Sequence, residues 1–427
     1  MRRKRIAIVG TGISGLASAW FLSKEHDVTV FEQEQRIGGH SHTVLIEEHG
    51  LMIPVDTGFM VYNEVTYPLL TRLFRVLDVA TKSTSMSFSV QHVEDGLEFN
   101  GGGINLLFGQ RRNLLNLRFW KALIQIARFN RETVEELEAP RFDDLSLGDY
   151  VRARGYGDDF LRWYLSPMAA AVWSSPPEKI RRFPARTLMR FWHNHGFLGL
   201  DTQHPWRTVS GGARCYVEKL IKPFESCIRS GAGVRAVVRS GEGRSRVILN
   251  DGTEDDFDIV VVAAHGDQAH GMIGDATPLE TELLGKFKYQ PNEAVVHTDA
   301  SVMPRTRRCW ASWNYRVEPQ SEGGLGYSTH YWMNELQGVS ERENYFVSIN
   351  PSAPLAAQRI KRRIRYEHPI FDLAAVAAQE RLPELHREGH QTGRFFCGAW
   401  QRYGFHEDGL LSAVTVCTEI LGRDPWA

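Results

Sequence analysis

The sequence predicts an α/β fold, with a parallel sheet flanked by helices and a second domain built from helices and a mixed sheet. Three observations predict it. The 427 residues exceed one ordinary compact domain and suggest two, at roughly 150 residues per domain. "RIAIVG", residues 5–10, is a short β-branched run of the kind that forms a buried parallel strand. Gly10, Gly12 and Gly15 then fall in a G-x-G-x-x-G pattern, and "LASAWFLSKEH" continues with good helix formers. A second strand, "DVTVFE", ends at Glu32.

The bulk numbers narrow the class. Net charge is −1, so no basic field advertises nucleic acid. With 42% hydrophobic and 24% charged residues the chain is globular in composition. The 11 tryptophans and 22 phenylalanines suit a large apolar cavity and an ordinary large core equally. Cysteines 215, 227, 309, 397 and 417 form no C-x-x-C pair and leave one over, so no disulfide framework or zinc site is expected and a reducing cytoplasm fits. "MRRKRIAIVGTGISG" starts basic, but its apolar run is short and broken by glycines; it reads as a strand entering a loop, not as a signal peptide. No stretch approaches the ~20 apolar residues of a membrane span. A cytoplasmic protein, soluble or held at the inner face of the membrane, is expected, and no internal repeat is present.

Strand, glycines, helix, second strand and terminal acid, in that order, make a Rossmann-like dinucleotide site. Gly10 permits the tight turn, Gly12 lets backbone approach a pyrophosphate, and Gly15 lets helix and strand pack closely. The helix N-terminus, with Ser14 in its first turn, faces the phosphates with partial positive charge. Glu32 stands where a carboxylate accepts hydrogen bonds from a ribose 2′-hydroxyl.

"EQEQRIGGHSHTV", residues 32–44, separates a metalloenzyme, a nicotinamide enzyme and a flavoprotein. His40 and His42 would share a strand face as metal ligands, but no nearby carboxylate or cysteine completes a set, so no metal is expected. The whole stretch "VGTGISGLASAWFLSKEHDVTVFEQEQRIGGHSHT" resembles the N-terminal signature of the flavin-containing amine oxidase and phytoene desaturase superfamily. The resemblance implies FAD, with Glu32, Arg36, Gly38, Gly39 and Thr43 as the motif positions and the Gly38-Gly39 backbone and Arg36 holding the pyrophosphate and ribityl region. His40 stands where the family often has arginine.

Further segments extend the likeness over nearly the whole chain. "PVDTGFMVYNEVTYPLLTRLF" (54–74) implies a backbone turn at Gly58 near the flavin, and "TVSGGARCYVEKL" (208–220) a return to the FAD domain. "GVRAVVRS" implies that the Val234 backbone meets adenine. "RFFCGAWQRYGFHEDGLLSAVTVCTEIL" resembles the C-terminal flavin motif. It implies Gly398 against the pyrophosphate and a helix, starting near Glu407, Gly409 and Leu410, aimed at the flavin's N1/O2 edge. Ala399-Trp400 replaces the usual acid, which makes Trp400 a candidate ring neighbour. No cysteine lies between Cys309 and Cys397, so FAD is expected to be non-covalent. The resemblance thus implies an amine-oxidase type FAD domain from residues 1–75, 205–288 and 390–427. It is interleaved with an α+β substrate domain from 76–204 and 289–389.

The substrate domain opens with a helical pattern in "NLLNLRFWKALIQIARFNRETVEELE". Between Glu98 and Glu132 there is no acidic residue, while Arg111, Arg112, Arg118, Lys121, Arg128 and Arg131 are basic and apolar residues interleave. Segment 104–131 reads either as a peripheral membrane patch or as an amphipathic helix with a solvated face. "KRRIRYEHPI" (361–370) would extend the patch or simply be exposed. "AVVHTDASVMPRTRRCWASWNY" and "STHYWMNELQG" read as aromatic-rich strands roofing the flavin. They resemble a bacterial subgroup associated with enzymes that methylate unsaturated fatty acyl chains. That association points to a lipid or other hydrophobic small molecule as partner.

In such enzymes a C–H bond held over the ring gives a hydride to flavin N5. An acyl chain lacks an amine's lone pair, so an allylic C–H beside a double bond is the expected target, helped by a methyl branch. The family's lysine is absent from "EAVVHTD"; Glu293 and His297 share a face by period-two alternation and are the candidate bases. Trp313, His330, Tyr331, Trp332 and Tyr403 are candidate pocket walls. Desaturation of a methyl-branched acyl chain in a phospholipid is the favoured reading, amine oxidation the alternative, and non-redox isomerisation a third.

Overall fold

The computed structural model describes residues 2–138, 145–174, 176–199, 203–241, 243–320 and 323–427. Five parallel strands form the first sheet, in the order Ile228–Arg229, Asp27–Phe31, Arg5–Val9, Ile259–Val262, Arg394–Phe396. Ile6, Ala7, Ile8 and Val260, Val261, Val262 are wholly buried. Burial on both faces is why these strands read as unbroken apolar runs.

Helix Ile13–Leu22 leaves the first strand and buries nine of its ten residues. It is packed against both the sheet and the C-terminal helix His406–Leu421. Two glycines make that packing possible. A Cβ on Gly15 would lie 2.0 Å from the Gly10 carbonyl oxygen, and one on Gly409 would lie 2.7 Å from Ile13 Cγ2 and 3.0 Å from Ser14 Oγ. The N-terminal turns of the two helices therefore converge.

The second sheet has seven strands, in the order Ile360–Ile370, Lys288–His297, Phe346–Ile349, Leu325–Trp332, Trp313–Pro319, Phe88–His92, Leu97–Asn100. All neighbours are antiparallel except Trp313–Pro319 with Phe88–His92. "KRRIRYEHPI" is thus an edge strand, with Lys361, Arg362, Arg363 and Arg365 exposed. The "MNELQ" that follows Leu325–Trp332 is a short helix, Met333–Gln337, and the long basic helix starts at Leu117 after a 3₁₀ turn, Arg111–Leu115. Helices Ser166–Trp173 and Ala185–Asn194 supply much of the remaining core.

One buried carboxylate joins distant segments. Asp56 accepts hydrogen bonds from the Ala213 amide (3.0 Å), from Gln337 Nε2 (2.6 Å) and from Thr43 Oγ1. Burial raises its pKa to about 6 despite these bonds. Among the described residues no helix is long and apolar enough to cross a membrane.

Candidate functional site

A cavity of about 1080 Å³ runs between the two sheets, and its lining divides into a glycine cradle, a histidine wall and an aromatic wall. Gly10, Gly12, Ser14, Glu32, Arg36, Gly39, His40, Gly58, Val234, Gly398 and Trp400 all line it.

The cradle is built from backbone. Gly10 sits at φ +106°, in the left-handed region glycine favours, and donates its amide to the Phe31 carbonyl (2.8 Å). A Cβ on Gly12 would meet no protein atom, so this residue keeps backbone bare toward the cavity; a Cβ on Gly39 would lie 2.9 Å from Gly12 Cα. The two glycine loops therefore touch. Thr11, which the sequence pattern did not single out, ties them: its amide (3.0 Å) and hydroxyl both donate to Glu32, and its hydroxyl accepts from the Gly38 amide (3.2 Å). Glu32 also accepts from the Glu34 amide (3.0 Å). Gly58 lies so close to His40 that a Cβ would sit 2.3 Å from the His40 carbonyl.

The histidine wall joins that cradle to the edge strand of the mixed sheet. His40 stacks on Tyr366 (4.8 Å between centroids) and lies 5.5 Å from His368, while His265 stacks on Tyr289 (4.4 Å). His42 Nδ1 is 3.0 Å from the Tyr366 hydroxyl. Burial pushes His40 and His368 down to about 3, and His42 and His265 to about 4, with Arg36 adding to the effect on His40 and His42. All four are neutral at pH 7. Nε2 of His40 is buried without a partner among the described residues. His406 adds a fifth neutral ring, stacked on Phe59 (3.9 Å) and bonded to Ser41 Oγ (2.8 Å). Among the described residues no group of three or more His, Cys, Asp or Glu is placed to hold a metal.

The aromatic wall comes from five separate stretches of chain. Phe191 packs on Trp173 (5.1 Å), Tyr403 (5.6 Å) and Phe405 (5.1 Å); Phe197 lies over Trp206 (6.5 Å), and Trp313 stacks on Tyr331 (6.1 Å). His195 stacks on Phe191 (4.0 Å) with Nδ1 2.9 Å from the Phe191 carbonyl. That contact makes Nδ1 the protonated nitrogen and leaves Nε2 a lone-pair acceptor. Burial holds His195 down to about 4. Nε1 of Trp206 and of Trp313 are buried donors without partners among the described residues. Among the described residues neither lysine nor cysteine lines the cavity, and its only carboxylates are Glu32, Glu34 and Glu367. Glu367 lies 3.7 Å from His265, on the histidine side.

Several expected residues lie elsewhere. Glu293 is partly exposed and paired with Arg363 (2.7 Å). His297 is buried against Ser348 Oγ (2.6 Å) and Phe346. The two residues do share a face, since the register with Phe346–Ile349 is unbroken through His297, but it is the face opposite the one that Ala294 shares with the cavity residues Ile349 and Ile364. Neither candidate base reaches the cavity. Trp313 pairs with Tyr331 across the sheet, so the alternating neighbours His330 and Trp332 face away from it. His330 bonds Ser348 and Ser328 (2.6 and 2.9 Å), and Trp332 packs on Trp310. Thr43 braces Asp56 rather than the cavity. Glu407 accepts from the Leu69 and Leu70 amides (2.9 Å each), capping helix Pro68–Val76, while Leu410 is core. Gly15, Gly38 and Gly409 shape the cradle from behind. Trp400 lines the cavity with its indole fixed by the Ala264 carbonyl (3.1 Å) and Phe287. The sequence signal for Tyr366 and His368 was present, as the alternation Ile364, Tyr366, His368 on one strand; none marked His195 or Trp173.

A model of the family described as flavin containing amine oxidoreductase matches residues 13–343. The chain belongs to that family. Coproporphyrinogen III oxidase of Bacillus subtilis (strain 168) is 22% identical over 315 residues, covering 64% of this chain and 62% of that protein. The match therefore spans less than two thirds of that relative. Among solved structures, cyclohexylamine oxidase from Brevibacterium oxydans IH-35A superposes at TM-score 0.67 and 13% identity, covering 98% and 100% of the two chains. A fatty acid isomerase from P. acnes superposes at 0.64 and 14%, covering 96% and 97%. At these identities the structures share the fold.

FAD is the cofactor of the flavin oxidoreductase family, and the residues present fit it. The bare backbone at Gly12 and Gly39 suits a pyrophosphate, Glu32 sits at the ribose end of the cradle, and the orphaned His40 Nε2 offers a ring contact. With every cysteine away from the cavity, no thioether can form, and FAD is held without a covalent bond.

Proposed function

We propose that the protein is an FAD-dependent oxidoreductase that desaturates a hydrophobic acyl chain, methyl-branched beside an existing double bond and carried on a phospholipid. One observation carries this reading: among the described residues the aromatic wall offers two unpartnered N–H donors, Trp206 Nε1 and Trp313 Nε1, and no carboxylate. A buried donor left alone costs about 1–3 kcal/mol, so the wall favours a ligand that brings an acceptor oxygen. An ester or carboxyl oxygen supplies one. An ammonium group supplies only donors and meets no counter-ion there among the described residues.

When bound, FAD supplies the acceptor for the electron pair of a C–H bond. The chain's own residues do the rest. Trp173, Phe191, Phe197 and Phe405 exclude water and hold the alkyl chain. Desaturation removes two hydrogens from adjacent or vinylogous carbons, and the one that leaves as a proton is accepted by His195 Nε2. That ring is neutral at pH 7 and its tautomer is fixed by the Phe191 carbonyl. A methyl branch at the double bond stabilises positive charge developing on the chain.

Amine oxidation finds less support, because no lysine lines the cavity. Likeness of fold does not choose between acyl chain and amine, since the fatty acid isomerase and the cyclohexylamine oxidase superpose about equally well. The test is product analysis after incubation in air with methyl-branched unsaturated phospholipid, a panel of amines, and coproporphyrinogen III. The proposal expects a lipid product two hydrogens lighter with a conjugated diene. A lipid product of unchanged mass would make the protein an isomerase. Turnover confined to amines or to coproporphyrinogen III would overturn the acyl reading.

A further inference from the structure

The 3₁₀ turn Arg111–Leu115 and the first half of helix Leu117–Glu138 carry apolar side chains on the side away from the core. The helix buries Phe119, Ala122, Phe129 and Thr133. Leu117, Trp120 and Ile124 stand on the other side, within an arc of roughly 60° at 100° per residue. Leu117 is 83% exposed, Ile124 67% and Trp120 41%; Leu115 joins them at 89%, Leu114 at 49% and Ile104 at 70%. Single exposed leucines need no explanation, but a cluster of this kind within 21 consecutive residues marks an interaction surface.

The charges around it choose the partner. Residues 99–131 contain no Asp or Glu. Arg118 and Arg128 are engaged by Asp159 and Glu132. Lys121 and Arg131 are exposed, and among the described residues neither has a carboxylate partner. Trp120 is held as a platform, its Nε1 donating to the Leu114 carbonyl (3.0 Å) and its ring on Phe108 (5.1 Å). A second copy of the chain fits poorly, since a two-fold contact would set this basic patch against itself. An anionic lipid surface fits both features, taking the apolar side chains below its headgroups and Lys121 and Arg131 at its phosphates.

We propose that residues 104–131 dock the protein peripherally on an anionic membrane, with Leu115, Leu117 and Ile124 inserted and Lys121 and Arg131 at the headgroups. The surface is separate from the cavity lining, and its test needs no turnover, so it stands or falls independently of the substrate. Holoprotein is sedimented with vesicles of equal parts phosphatidylglycerol and phosphatidylcholine, and with phosphatidylcholine alone, reading flavin absorbance in the pellet. Pelleting with the mixed vesicles is expected, reduced by added salt. The double variant Leu117→Glu/Ile124→Glu should lower the vesicle partition coefficient at least tenfold at unchanged flavin content. Lys121→Glu/Arg131→Glu should remove the preference for phosphatidylglycerol, at about fivefold per cation. Wild type staying in the supernatant, or pelleting equally with the apolar double variant, would overturn the proposal. So would a wild-type dimer that Leu117→Glu/Ile124→Glu converts to monomer, which would make the patch a self-interface.

Discussion

The glycine cradle and the aromatic wall face the same cavity but are made in opposite ways. The cradle is backbone, set by glycines whose Cβ atoms would collide with neighbouring chain, as at Gly15 and Gly58. The wall is side chain, assembled from Tyr67 and Trp173, from Phe191, His195, Phe197 and Trp206, from Trp313 and Tyr331, and from Tyr403 and Phe405. A site made of backbone tolerates almost no change of residue type. A wall made of packed rings can keep its shape while its chemistry changes, which suits one cofactor serving many substrates.

The largest break in that comparison should come from the cradle. Gly15→Val drives a side chain into the Gly10 carbonyl, a clash beyond the ~1–3 kcal/mol of ordinary overpacking. The purified variant should be colourless, with a lowered melting temperature; full flavin content would contradict the role given to Gly15. His195→Gln should keep the flavin and slow its reduction by roughly 10²–10⁴-fold, the usual weight of a general base. Glu293→Gln, out at its ion pair with Arg363, should leave that rate within about twofold. In wild type the reduction rate should be flat from pH 8 down to near 5 and fall as His195 protonates near 4.

The histidine wall makes a prediction about stability. Seven histidines, at 40, 42, 195, 265, 297, 368 and 406, have folded pKa values of about 3 to 4, below the ~6.5 of an unfolded chain. The unfolded state then binds more protons, so their contribution is whole above pH 6.5 and is lost as pH falls through that value. Asp56 and Asp408, raised by burial to about 6 and 7, act in the opposite sense over the same window but are outnumbered. Melting temperature should therefore drop between pH 7 and 5, and His368→Asn should flatten the slope. A modest effect belongs to the aromatic wall: Trp313→Phe removes one N–H and should weaken lipid binding by about 2- to 13-fold, from ~0.5–1.5 kcal/mol.

The same contrast explains what could be read in the sequence. The α/β fold was legible because buried parallel strands are apolar on both faces and the glycine spacings are local. Trp313 and Tyr331 were legible as wall residues from their aromatic setting, but His330 and Trp332 came with them, because which face of a strand meets a cavity is decided by its partners. Glu293 and His297 failed for the same reason: they share a face, but it is the one turned from the cavity. Thr11 was invisible because its work is to carry a hydrogen-bond chain from Glu32 to Gly38, which needs both loops in place. His195 sits at a helix C-terminus with no motif around it, and only the stacking on Phe191 gives it a role.

The most direct measurement is anaerobic mixing of the holoprotein with vesicles of methyl-branched unsaturated phospholipid, following the visible flavin absorbance. Bleaching by that lipid, and by no member of a panel of amines, is the predicted result and would establish oxidation of an acyl chain. Bleaching by an amine with none by the lipid would contradict it and leave the aromatic wall to an amine substrate.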